Sequence, residues 1–369
     1  MSESKDRDVG SGGRKIRVLL VEDSLTIRRR FAEVLGADAD LEVVAETDNG
    51  KRAIELCRQL RPDVISLDMM LPVMSGLAAT EYIMAHHPTP ILIVSSSINR
   101  GELLHTYDAL AAGAVDVLEK PRADEPEDAW GPRLCAALKL VSRIKVISHP
   151  RGRLGHFGRP GATLRAPEPA PAHGRVRVVV LGASTGGPGA LVAILRSFPV
   201  QFSIPVVIVL HIDEPFGLAL AEWFEGQTQR AVACPADGAL IESFAGRVAM
   251  APPGRHLTVS GRRFVLTADP PVHSCRPSID VLFRSVAREF REGTVACLLT
   301  GMGCDGAAGL LDIRRAGGIT IAQDEETSVV YGMPREAALL GAAERILPLP
   351  AIGEYLGRVL SAGEGGTSP

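Results

Sequence analysis

From Ile16 onward the chain alternates between short, β-branched apolar runs and longer stretches in which apolar residues return every three or four positions. IRVLLV, LEVVAE, DVISLD, PILIVSS and AVDVLEK are such runs, with helical-period segments between them. Strands alternating with helices predict a parallel sheet covered on both faces. A last helical stretch, GPRLCAALKLVSRIKVI, closes a first α/β domain over residues 15–147.

The pattern then breaks. Residues 148–175 are rich in Pro, Gly, Ala and Arg and hold no apolar period. They read as a linker, basic in the first half and proline-stiffened in the second. Alternation resumes at Val176. VRVVVLG, PVVIVLH, VACLLTG and GITIAQD are nearly continuous apolar runs, as buried parallel strands are. GRVAMAPPGRHLTVSGRRFVLTAD predicts antiparallel hairpins turning at SGRR. The second domain, residues 176–361, is therefore expected to be a doubly wound, mainly parallel α/β unit with an antiparallel hairpin appendage. Residues 1–14 read as a disordered arm, since they lack the apolar core of a signal peptide. Residues 362–369 read as a tail.

Composition narrows the function. A net charge of −3 and an aromatic share of 4% argue against a nucleic-acid partner. No apolar run reaches the roughly 18 residues of a membrane span, so the expectation is a cytoplasmic protein that is not membrane-embedded. The six cysteines, at 57, 135, 234, 275, 297 and 304, form no CxxC pair and read as scattered buried thiols in a reducing compartment.

Ligands of an open parallel sheet sit at the carboxyl ends of its strands. In the first domain those ends carry Glu22-Asp23, Asp68, Ser95 and Lys120-Pro121. Three carboxylates at one edge repel each other unless a cation joins them, and hard oxygen donors suit Mg²⁺. A metal beside Asp68, with a lysine opposite, would neutralise an incoming phosphoryl group. Over about residues 15–135 the domain resembles a response-regulator receiver of flavodoxin-like fold, with five parallel strands. That likeness implies Asp68 as the phosphorylated residue. It further implies Mg²⁺ held by Glu22, Asp23, Asp68 and the carbonyl of Met70, with Ser95 and Lys120 on the phosphoryl group. LDMMLPVMSG departs slightly from the usual wording after the aspartate, and Val117 stands where many receivers carry an aromatic switch residue.

In the second domain the turn after the first strand reads GASTGG. It lacks the lysine of a Walker phosphate loop and the spacing of a dinucleotide turn. It matches G-x-S-x-G, a strand-to-helix elbow that exposes the hydroxyl of Ser184 beside helix N-terminal amides. A serine nucleophile needs a base. His211 ends the next parallel strand, at the same sheet edge, whereas His256 and His273 fall in the hairpin region with surface or loop-packing roles. A third group must hold the imidazole. VACLLTGMGCDGAAGL runs through Gly301, Gly303 and Gly306, which allow close backbone approach, to Asp305; its other reading is an ordinary helix N-cap.

With these three residues in place, the whole chain is similar to the bacterial chemotaxis response-regulator methylesterases, the CheB family. GASTGG, APPGRHL, RPSIDVLFRSVA, TGMGCDGAAGL and TIAQDEETSVVYGMPREA carry the likeness. The resemblance implies a phosphorylation-regulated hydrolase that removes methyl groups from glutamate methyl esters on chemoreceptors and can deamidate receptor glutamines. Ser184 would be the nucleophile, His211 the general base and acid, and Asp305 its orienter. Amides near Met302 and His211 or Thr185 would bind the oxyanion. No cofactor serves that hydrolysis. A sensor histidine kinase is the implied phosphodonor, and the receiver is expected to cover the active-site edge until Asp68 is phosphorylated. After the histidine the family usually reads Met-Pro. Here HIDEPF places Asp213 and Glu214 at the mouth, with an expected surface effect within about 1 kcal/mol per charge pair. Two other classes fit part of the pattern: a phospho-switched binding module with an inert triad, and a receiver joined to a nucleotide- or DNA-binding output. Labelling by a serine-directed phosphonate separates the first from an enzyme, and salt-dependent DNA binding would mark the second.

Overall fold

The computed structural model describes residues 14–96, 100–121, 127–144, 146, 176–212, 214–217 and 219–362. The linker assigned to 148–175 lies outside them, as do residues 1–13 of the arm and 363–369 of the tail. Arg14, assigned to the arm, is ion-paired with Asp63 at 3.0 Å. The last helix runs to Ala362, one residue into the assigned tail.

The first domain is a five-stranded parallel sheet of β1 (Ile16–Val21), β2 (Leu41–Thr47), β3 (Val64–Leu67), β4 (Ile91–Ser95) and β5 (Asp116–Glu119). Their order is β2-β1-β3-β4-β5. The intervening helices are α1 (Leu25–Gly36), α2 (Gly50–Leu60), α3 (Gly76–His86), α4 (Arg100–Ala111) and α5 (Glu127–Val141). Side-chain oxygens of Ser24, Asn49 and Ser75 accept from amides in the first turns of α1, α2 and α3, which is why those helices begin where they do. Register places the chemistry: Val21 pairs with Leu67, so Glu22 and Asp68 leave the sheet side by side. Ser95 pairs with Glu119, one residue before Lys120.

The second domain holds β6 (Val178–Ala183), β7 (Val206–Leu210), β8 (Val232–Ala233), β9 (Val248–Met250), β12 (Thr294–Leu298), β13 (Ile319–Gln323) and β14 (Arg345–Leu347) in one sheet. Its order is β14-β13-β12-β6-β7-β9-β8, with every pairing parallel. The antiparallel hairpin is β10 (His256–Ser260) with β11 (Arg263–Thr267), turning at Gly261-Arg262. The hairpin expectation for the whole GRVAM…LTAD segment is thus half right. VAM is β9, whose buried residues pair parallel with β7. Three residues are too few to show a period by which strand direction could be read. The helices are α6 (Gly187–Arg196), α7 (Glu214–Gly217), α8 (Leu220–Thr228), α9 (Ile279–Phe290), α10 (Ala307–Arg315), α11 (Met333–Leu339) and α12 (Leu349–Ala362).

The two domains meet along α4. One buried apolar cluster runs from Leu103, Tyr107 and Leu110 of the receiver to Ala190, Phe216 and Trp223 of the second domain. The rings of Tyr107 and Trp223 lie 5.7 Å apart. The Tyr107 hydroxyl donates to the Phe216 carbonyl, and Arg100 pairs with Glu222. Asp108 accepts from Trp223 Nε1 at 2.8 Å and from Gln227 Nε2 at 3.1 Å.

Candidate active site

The receiver's acidic residues converge as expected. Glu22, Asp23 and Asp68 offer carboxylate oxygens that lie within 4.8 Å of one another. Lys120 Nζ is 2.9 Å from Glu22 and 3.0 Å from Asp68. Burial and the neighbouring Asp68 push Glu22 up to about 7 despite that lysine. Burial likewise raises Asp68. Carboxylates this poorly neutralised fit a hard divalent cation. The Met70 side chain is exposed, and its amide reaches toward Asp68 Oδ1 at 3.4 Å. Ser95 does not face this cluster through a bond. Its hydroxyl donates to Glu102 Oε1 of α4 at 2.6 Å. Val117 is buried.

In the second domain Ala183 pairs with Leu210, so Ser184 and His211 follow paired residues on adjacent strands. Asp305 arrives from the loop after β12. His211 Nε2 and Asp305 Oδ2 are 2.8 Å apart. Asp305 does not cap the helix it precedes, since Gly306 holds that position. Its carboxylate instead receives the amides of Ile279 at 2.7 Å and Asp280 at 3.1 Å, at the N-terminus of α9, and the Ser278 hydroxyl at 2.8 Å. Burial opposes its charge, but the His211 pair and these bonds hold its carboxyl below the usual range. Burial likewise opposes charge on His211, and is outweighed by Asp305 and Cys275, so the imidazole is raised to about 9.

With Asp305 on Nε2, Nδ1 is the nitrogen left for a nucleophile. It lies 3.5 Å from Cys275 Sγ. Among the described residues no hydrogen bond joins the Ser184 hydroxyl to His211, although both line one cavity of about 530 Å³ with Thr185, Cys275 and Arg276. The receiver forms the other wall, through Leu92, Val117 and Arg133 among others. The Ser184 elbow is anchored by its own amide, which donates to the Thr300 carbonyl at 3.0 Å, and by the Thr300 hydroxyl, which donates to the Thr185 carbonyl at 2.9 Å. Gly301 is required there: a Cβ would come 2.6 Å from that of Ser184 and 2.5 Å from Met333 Cε. Gly186 turns the elbow with φ of 77°. The His211 amide donates to the Ala183 carbonyl at 3.0 Å, so the sheet has already used it and it is not an oxyanion donor. Met302 is partly exposed.

Comparison with known proteins decides what this arrangement belongs to. The family model described as CheB methylesterase matches residues 179–356, and that of the response regulator receiver domain matches 18–127. A protein-glutamate methylesterase/protein-glutamine glutaminase of Nitrosospira multiformis is 42% identical, covering 92% of this chain and 96% of its own. The chain belongs to the CheB methylesterase family. A second relative of that enzyme name, from Anaeromyxobacter dehalogenans, is 41% identical over 93% of this chain and 97% of its own. The crystal structure of the Thermotoga maritima CheB methylesterase catalytic domain is 34% identical, covering 50% of this chain and 98% of its own, with a TM-score of 0.47. The matched family models and the methylesterase relatives do not favour an inert binding module.

Of the residues around this site, some take the roles expected from the sequence and others do not. His256 is buried, accepts the Ser278 amide on Nδ1 at 3.1 Å and sits 3.2 Å from the Pro270 carbonyl, so it packs a loop as expected. His273 is partly exposed and lies 3.3 Å from Asp280. The cysteines are less uniform than expected: Cys57, Cys135 and Cys297 are buried, whereas Cys234 and Cys304 are exposed and Cys275 is intermediate. Ser278, inside RPSIDVLFRSVA, caps α9 by accepting from the Val281 amide and also donates its hydroxyl to the Asp305 carboxylate. Asp213 of HIDEPF lies outside the described residues, as does the Glu214 side chain. No helix among the described residues is long and apolar enough to cross a membrane.

Proposed function

We propose that Ser184, His211 and Asp305 hydrolyse glutamate methyl esters of chemoreceptors, and that phosphorylation of Asp68 controls access to them. The observation that carries this reading is the 2.8 Å His211–Asp305 pair beside the Ser184 elbow, in a cavity roofed by the receiver. For reaction, the Ser184 hydroxyl takes over the Nδ1 position held by the Cys275 thiol, and His211 accepts its proton. The serine oxygen bonds to the ester carbonyl carbon, and the oxyanion is met by the amides of Thr185 and Met302, which make no hydrogen bond among the described residues. Collapse expels methanol, protonated by His211. Water, deprotonated in turn by His211, then releases the glutamate carboxylate. Asp305 keeps the imidazole oriented and stabilises its charged form. A receptor glutamine follows the same steps with ammonia leaving.

In the receiver, Glu22, Asp23, Asp68 and the Met70 carbonyl would hold Mg²⁺, which supplies charge neutralisation for the phosphoryl group. Lys120 contacts that group. The Ser95 hydroxyl, turning to it, leaves Glu102, and α4 loosens its hold on α6 and α8. A sensor histidine kinase is the expected phosphodonor. Methanol release from methylated receptor, with and without a small phosphodonor and Mg²⁺, tests the reading. Release that rises with the phosphodonor supports it, and no release under either condition refutes it.

A further inference from the structure

The Cys275 thiol and the His211 imidazole form a pair that ester hydrolysis does not use. They are separated by 64 positions in sequence and by 3.5 Å in space. The turn that delivers the thiol is unusual, with left-handed φ of 50° at His273 and 62° at Ser274. Zinc binds a thiolate at about 2.3 Å and an imidazole nitrogen at about 2.0 Å, which at a tetrahedral angle puts sulfur and nitrogen about 3.5 Å apart. The far side of the ring is also arranged as metal-bound histidines have it. Asp305 pairs with Nε2, so Nδ1 is the nitrogen that faces a metal once its proton is lost, and Asp305 is itself held by three further bonds. Ligand atoms of His211, Cys275 and Asp305 all fall within 4.8 Å of one another. Both Cys275 and His211 line the cavity, so an ion reaches them from it.

We propose that Cys275 Sγ and His211 Nδ1 form a binding site for a thiophilic divalent cation such as Zn²⁺, and that its occupancy shuts the esterase off. Binding displaces two protons to solvent, one from the Cys275 thiol and one from the Nδ1 position of the imidazole, which, against burial, Asp305 and Cys275 otherwise keep protonated, and replaces them by two metal bonds. The nitrogen that Ser184 needs is then engaged, so the inhibitory half of the proposal rests on the triad reading above. A neighbouring pair, Cys304 Sγ and His273 Nδ1, has the same 3.5 Å spacing. That pair is exposed, and its carboxylate, Asp280, is farther from the ring at 3.3 Å. The less exposed Cys275–His211 pair, with its carboxylate closer to the ring, is therefore the better metal site.

The test uses the reduced full-length protein in excess Mg²⁺, which fills the receiver's carboxylates. Titration with Co²⁺ is followed by thiolate-to-cobalt charge-transfer absorption, and Zn²⁺ inhibition by methanol release, each protein being normalised to its own chelator-treated rate. The expected result is a cobalt band lost in Cys275→Ser and retained in Cys304→Ser. Zn²⁺ inhibition of roughly tenfold or more should likewise disappear in Cys275→Ser. A band that survives Cys275→Ser, or that is lost only in Cys304→Ser, overturns the site. Undiminished Zn²⁺ inhibition of Cys275→Ser overturns the inhibitory role. Ser184→Ala keeps the two readings apart: it should bind Co²⁺ unchanged while losing esterase activity, and retained activity there would count against the triad alone.

Discussion

The Ser95 hydroxyl, at the end of β4, donates to the buried Glu102 carboxylate of α4 at 2.6 Å. Ser96 donates to the same carboxylate at 2.8 and 2.9 Å. The carboxyl edge of the receiver sheet is thereby bonded to the helix that packs on the second domain. On the reading proposed above, with Val117 in place of a rotating aromatic ring, this bond would carry the effect of a phosphoryl group at Asp68 to the interface.

Glu102→Ala should therefore release part of the inhibition without any phosphodonor. Coupling between sites typically spans 1–3 kcal/mol, so basal methanol release should rise about fivefold or more, and the further gain on phosphorylation should shrink. Basal release equal to that of the unmodified chain would show that α4 is held by other means.

Asp108→Ala acts at the other end of that helix. It leaves Trp223 Nε1–H and the Gln227 amide without their acceptor. Bonds to a charged group contribute about 1.5–3 kcal/mol each, so docking should weaken and basal activity should rise. Limited proteolysis between the domains, read beside the rate, should show faster cleavage.

Gly301→Ala should depress activity with the receiver present or removed. Its new methyl would meet the Ser184 and Met333 side chains inside contact distance, an overpacking that costs about 1–3 kcal/mol. Thermal unfolding should fall modestly, and the rate should fall far more. A fully active variant would mean the elbow is less confined than its contacts indicate.

The His211 shift sets a pH dependence. Its folded value of about 9 exceeds the ordinary 6.5, so folding favours the protonated ring. The stability this contributes is fully present below about pH 6.5 and is lost as pH rises through 9. Activity moves oppositely, because the base must be neutral: kcat/KM should climb toward pH 9. Asp305, held below the carboxylate range, contributes stability above that range that is lost only in strong acid. Activity that is flat from pH 6 to 9 would contradict the coupling of His211 to Asp305.

Much of this was legible in the chain. Glu22, Asp68 and Lys120 follow short strands rich in β-branched and apolar residues, and a parallel sheet brings such ends together. Ser184 and His211 were legible for that reason too. The expectation faltered where tertiary packing alone decides. β9 is too short to show its direction. The His211 amide was offered to an oxyanion but belongs to the sheet. Asp305 precedes one helix and caps another, which spacing cannot show. Cys275 meets His211 only because a turn with two left-handed residues carries it there, and Ser95 meets Glu102 only through the placement of α4.

Hydrolysis through an acyl-enzyme requires Ser184 to be the residue that is acylated. Incubation of the full-length enzyme with a fluorophosphonate, followed by peptide mapping, tests it most directly. One adduct is expected, on the peptide bearing Ser184, formed in step with loss of methanol release and abolished by His211→Ala. An enzyme that still releases methanol after Ser184 is fully labelled, or that loses activity through an adduct elsewhere, would contradict it.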